Sequence, residues 1–129
     1  MLFWDPPAWA LPDLKQAIAL DSQNFRAYLN RGKVYVHQGN LEQALKDFDQ
    51  ASRLRPLEAG PFYERGRVHL AKRAYAPAIA DFSKGVAFQP NYSEAYFYRA
   101  QAYRATGEPA KAEQDEEKFG FLKSKSKTR

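Results

Sequence analysis

The 129-residue chain has no cysteine. That absence excludes a disulfide framework, a thiolate nucleophile and every cysteine-ligated zinc or iron–sulfur site, and it makes a reducing compartment the default. Histidine is nearly as scarce. His37 and His69 are too far apart in the sequence to form the helical pair of a zincin motif. No run of about eighteen apolar residues occurs, so no membrane span is expected. The opening MLFWDPPAWALPDLKQAIAL is apolar, but it has no basic leader and is broken by Asp5, Pro6, Pro7, Pro12 and Asp13, which makes it a poor signal peptide. The expectation is a soluble protein of the cytoplasm or the nucleus. Glycine-rich phosphate loops and paired carboxylates are also missing, and neither histidine has an evident orienting partner. We therefore expect no enzyme, no metal and no cofactor.

What is present includes a hydrophobic content of 44%, enough for a core, and a net charge of +5. A basic chain invites a polyanion as partner. The charges are not spread evenly, however: from Lys118 onward stand Lys118, Lys123, Lys125, Lys127 and Arg129 with no acid, and residues 1–117 sum to zero. After Leu122 the sequence alternates lysine and serine with no hydrophobic period, so residues 123–129 read as a disordered basic tail. Such a tail adds weak, salt-dependent attraction to nucleic acid, and the neutral body gives no reason to expect more.

A period of thirty-four residues runs through the chain. Tyr28, Phe62 and Tyr96 share one place; Gly32, Gly66 and Ala100 another; Tyr35, His69 and Tyr103 a third. Ala44, Ala78 and Ala112 recur, as do Phe48 with Phe82, Leu54 with Phe88 and Leu122, and Pro56 with Pro90. Each unit reads as two amphipathic helices, with apolar residues at i, i+4 and i+7 in the first and a small residue in each that lets the pair approach. Gly39 and Gly107 suit the left-handed turn after a helix. Asn40 with Gln43 and Asn91 with Glu94 predict capping boxes. Pro61, Pro77 and Pro109 fit first turns, and Pro56 and Pro90 close second helices.

The pattern aromatic-x3-Gly/Ala-x2-Tyr, then Ala-x3-Phe-x2-Ala, then Pro resembles the tetratricopeptide repeat (TPR). The repeats fall at 25–58, 59–92 and 93–122, after a segment 1–24 whose residues 11–21 look like the second helix of a repeat lacking its first. The resemblance implies an all-α chain of tandem helix-turn-helix units forming a right-handed superhelix, an α-solenoid, whose first helices line a concave groove. It also implies a protein–protein interaction scaffold. Two departures stand out. Arg73 replaces the turn glycine, predicting a non-glycine residue at positive φ, and Glu116 replaces the buried ring of the second helix, as suits a terminal helix facing water. His69 falls in a place held by tyrosine elsewhere and is expected to be a satisfied core histidine.

Arg31, Arg65 and Arg99 precede the small residue in every repeat, and Asp47, Asp81 and Asp115 follow sixteen residues later. That spacing puts one on each helix of a hairpin and predicts an ion pair locking the two; the alternative is a set of solvated surface charges. For the N-terminal end three readings compete. Phe3, Trp4 and Trp9 fold back over it, or the chain is a fragment or short form of a longer array, or the end self-associates or docks into a larger complex.

Mapping the resemblance residue by residue places Asn30, Lys33, His37, Tyr63, Glu64, Arg67, Phe97, Tyr98, Gln101 and Arg104 in the groove. Rings at Tyr63, Phe97 and Tyr98 would take side chains of an extended peptide, while Asn30, Lys33, Arg67, Gln101 and Arg104 would donate to its carbonyls or carboxylates. The cations lean toward an acidic ligand. Alternatively the rings pack between repeats. The carboxylate clamp of co-chaperone TPR domains corresponds here to Leu29, Lys33, Glu64, Glu94 and Tyr98, a set whose two acids would repel a terminal carboxylate.

Overall fold

The computed structural model describes residues 6–127, and these contain helices and no strand. A 3-10 turn at Ala8–Ala10 leads into α1 (Leu11–Leu20). Three hairpins follow: α2 (Phe25–His37) with α3 (Leu41–Leu54), α4 (Ala59–Ala71) with α5 (Tyr75–Phe88), and α6 (Ser93–Ala105) with α7 (Pro109–Lys127). Each helix packs on the next and each first helix on the first helix of the following hairpin, which makes an α-solenoid.

The turns within the hairpins share one geometry. Gly39 and Gly107 both have φ 79° and Arg73 has φ 60°. In each turn the following N–H returns to a carbonyl five residues back: Asn40 to Tyr35 at 2.8 Å, Ala74 to His69 at 2.8 Å and Glu108 to Tyr103 at 2.9 Å. This is the double-bonded helix terminus that favours glycine, so Arg73 holds it at a cost of about 1 kcal/mol. Because Asn40 closes this turn, its side chain points back to Gln38 and caps nothing, contrary to the expected capping box. The second expected box is also absent: Tyr92 precedes α6, and Glu94 accepts from Ser93 instead. A side-chain cap does form at Asn24, which accepts from the Ala27 N–H at 3.1 Å.

Inside each of the first two hairpins a ring meets a hole. Phe48 and Phe82 are fully buried, and a Cβ on Gly32 or Gly66 would lie 2.5 or 2.8 Å from the facing ring. Beside this contact Arg31, Arg65 and Arg99 each grip the buried Asp47, Asp81 or Asp115 with two hydrogen bonds of 2.7–2.9 Å. The solvated-charge reading therefore fails. Two of the guanidiniums also reach the preceding hairpin: Arg65 donates to Asp49 and Arg99 to the Ser83 hydroxyl. Since Arg65 already occupies both Asp81 oxygens, His69 stays half-buried with Nε2 3.7 Å from that carboxylate, not a satisfied core histidine.

The C-terminal segment departs from expectation. Residues 123–127 continue α7 instead of forming a disordered tail, while 128–129 lie outside the described residues. Lysine is a good helix former, no proline intervenes, and Lys123 is tied to Glu94 at 3.3 Å, so a helix already nucleated over three turns propagates. At the other end Trp9 is 75% exposed and does not fold back; Phe3 and Trp4 lie outside the described residues.

Candidate functional site

Repetition of the first helices sets α2, α4 and α6 side by side, and their residues at corresponding places meet along one face. Lys33 on α2 reaches Glu64 on α4 at 3.9 Å. Asn30 is half-buried one turn from Lys33, and His37 is exposed at the C-terminal end of α2. On α4, Arg67 is exposed and places its guanidinium 5.0 Å from the Tyr98 ring and 5.7 Å from Tyr63, a cation–π arrangement that holds an otherwise flexible side chain in place. On α6, Phe97 is 38% exposed, edge-on to Tyr98 at 5.1 Å and against Phe119 of α7 at 5.1 Å. Gln101 is exposed one turn farther on.

Two expected groove residues are used elsewhere. Tyr63 is buried, stacked on Tyr92 at 4.6 Å and packed near Phe82 and Tyr98, so it belongs to the core between hairpins. The middle hairpin is covered by the next one, which supplies Tyr92 and Tyr98. Arg104 turns to Glu116 of α7 with bonds of 2.9 and 2.7 Å, satisfying the acid that stands in the place of the buried ring. The groove set that the fold brings together is thus Lys33–Glu64 and the Arg67–Tyr98–Phe97 platform.

Beside this platform a cavity of about 850 Å³ opens at the N-terminal ends of the first helices, lined by Arg26, Glu58, Tyr92, Glu94, Lys123 and Lys125 among others. The last turns of α7 form one of its walls. Leu122 holds a recurring place of the third repeat, whereas Lys123 and Lys125 fall in the segment 123–129 expected to be disordered, although Phe119, Leu122 and Lys123 have the i, i+3, i+4 spacing of a helix. Burial pushes the Glu94 carboxyl up, but bonds from Ser93, its own N–H and Lys123 outweigh it and leave the acid below its ordinary value. Burial raises the Tyr63 and Tyr92 phenols well above theirs.

This arrangement suits recognition: an aromatic face, a fixed guanidinium and a lined cleft. Among the described residues no group of three histidines or acids could hold a metal ion, and no helix is long and apolar enough to cross a membrane.

Comparison with known proteins agrees with the repeat. Tetratricopeptide repeat models match residues 25–56 and 82–114, and a further TPR repeat model matches 10–39, across α1 and α2. No curated protein sequence matches. Among solved structures, a crystal structure of MamA superposes with a TM-score of 0.84 at 24% identity, covering 89% of this chain and 67% of that one. MamA 41-end from Desulfovibrio magneticus RS-1 gives 0.81 at 25% identity, covering 88% and 64%. The second TPR of Spaghetti (RPAP3), bound to the HSP90 peptide SRMEEVD, gives 0.73 at 23%, covering 88% and 97%. The chain thus spans about two thirds of the length of the MamA structures.

Proposed function

The chain belongs to the tetratricopeptide repeat family, and from that premise we propose that this protein–protein interaction module binds an extended, acidic peptide segment of a partner along its first-helix face. The observation that carries the reading is the Arg67–Tyr98–Phe97 platform, a guanidinium held over a ring next to an exposed ring. An apolar side chain of the peptide would lie on Phe97, and a neighbouring carboxylate would meet Arg67. Lys33 and Arg104 stand against Glu64 and Glu116. The peptide-bound Spaghetti domain supports a peptide as ligand. A free C-terminal carboxylate fits poorly, because the clamp places hold Glu64 and Glu94, so an internal segment is the better occupant.

Selection from a peptide library displayed with both free and blocked C-termini tests this. We expect enrichment of internal segments that pair an apolar residue with Asp or Glu. Affinity for the selected peptides should fall at least tenfold in Arg67→Ala/Phe97→Ala and change little in Arg104→Ala. Enrichment of free carboxyl termini, or indifference to the double substitution, would remove the proposal.

A further inference from the structure

In α3 and α5 the face that meets the partner first helix is Ala44, Asp47, Phe48 and Ala51, then Ala78, Asp81, Phe82 and Gly85, and all eight are buried. The thirty-four-residue period puts Ala10, Asp13, Leu14 and Ala17 in the same places of α1. There Ala10 is buried, Leu14 and Ala17 are half-buried and Asp13 is exposed. Leu11, on another side of α1, packs on the core around Tyr35 and Phe48. Helix α1 is therefore a second helix seated in the array by one face, with the face that would receive a first helix only partly covered: Asp13 is exposed, and Leu14 and Ala17 are half-buried where their counterparts are buried.

Asp13 specifies what fits that face. Its counterparts Asp47, Asp81 and Asp115 each hold an arginine in a two-bond fork, whereas Asp13, among the described residues, makes no ion pair or side-chain hydrogen bond. A carboxylate in this register is the acceptor half of a pair whose donor half is a guanidinium. The neighbouring place, filled by Phe48 and Phe82 opposite glycine, holds the shorter Leu14, which leaves room for alanine as well as glycine opposite it.

We propose that the outer face of α1 docks an amphipathic helix of a partner protein, antiparallel to α1, that presents an arginine directly before an alanine or glycine. The arginine would fork onto Asp13 and the small residue would lie over Leu14. A second copy of this chain is the poorer occupant. Its three arginines of this register are already bound to their own aspartates, and a two-fold pairing of α1 with α1 would bring two Asp13 carboxylates together. The proposal is independent of the groove and of what the groove binds.

The probe is a peptide of residues 93–107, which carries Arg99 before Ala100, stapled into a helix on its outer face and titrated against the full chain by fluorescence anisotropy. The expected result is saturable binding that weakens about tenfold with Asp13→Asn, about tenfold when the peptide carries Arg99→Ala, and no further when the two are combined. The groove variant Arg67→Ala should bind the peptide as wild type does. Absence of binding, or binding indifferent to Asp13→Asn, overturns the proposal. So does a dimer by light scattering that Asp13→Asn dissociates, which would make a second copy the occupant, or a gain in peptide affinity when residues 1–5 are deleted, which would make the chain's own start the occupant.

Discussion

Gly66 and Phe82 behave as one object. Alanine at 66 would gain about 1 kcal/mol of helix propensity, but its Cβ would lie 2.8 Å from a fully buried ring that has nowhere to move. Overpacking at about 1–3 kcal/mol wins, so Gly66→Ala should lower the melting temperature by several degrees. Gly120→Ala, with nothing within 4 Å, should raise it slightly; a stabilised Gly66→Ala in the same thermal melts would contradict the packing. The pairing was legible in the sequence because ring and glycine recur together, and where the ring becomes Glu116 the glycine becomes Ala100. Tyr63 was not legible. Its place corresponds to half-buried Leu29 and exposed Phe97, and only the stacking of Tyr92 and Tyr98 against it decides that this ring is core. Asn24 has Ala27 three residues on and so lacks the Glu or Gln that marks a capping box, whereas Asn40 has Gln43; the turn geometry that occupies Asn40 is visible only in the backbone.

Helices in this array are joined by a recurring guanidinium that serves two of them at once. Arg65 binds Asp81 of its own hairpin and Asp49 of the one before; Arg99 binds Asp115 and Ser83. The place in α1 equivalent to Asp49 and Ser83 is Lys15, a cation on the side from which Arg31 would need an acceptor. Helix α1 accordingly has no buried residue of its own, whereas α3 has four. Lys15→Asp should complete the missing bridge and stabilise the fold by about 1 kcal/mol, with slower amide exchange in α1 as the local signature. An unchanged melting temperature would mean that α1 is rotated away from Arg31. The ion pairs within hairpins were readable from a fixed sixteen-residue spacing. The bridges between hairpins were not, because their acceptors differ in kind, aspartate in one repeat and serine in the next. The helical end of α7 escaped notice because lysine and serine in alternation carry no amphipathic signal, and the bond that anchors it comes from Glu94 on another helix.

As a whole, the molecule is held at the joint between its second and third hairpins by buried Tyr63 stacked on half-buried Tyr92. Burial disfavours both phenolates and raises both groups above the ordinary 10.0. A group whose folded value is raised stabilises the fold fully below its unfolded value and ceases to do so as pH climbs past it. Stability should therefore hold up to about pH 10 and fall steeply above, with the tyrosinate absorbance of two residues appearing together with loss of helix. Ionisation of all eight tyrosines in advance of unfolding would show that the joint is open to water. The opposite ends of the array differ in a way that bears on growth. Copies of a solenoid can in principle add head to tail without limit, since each inner joint is a contact between unlike faces. The Arg104–Glu116 pair sits at the terminal hairpin where its inner equivalents offer Leu70 and Phe82, so stacking another copy there would strip water from two charges in exchange for no ring contact. A charged, half-exposed pair thus stands on the third hairpin where the second presents an apolar contact.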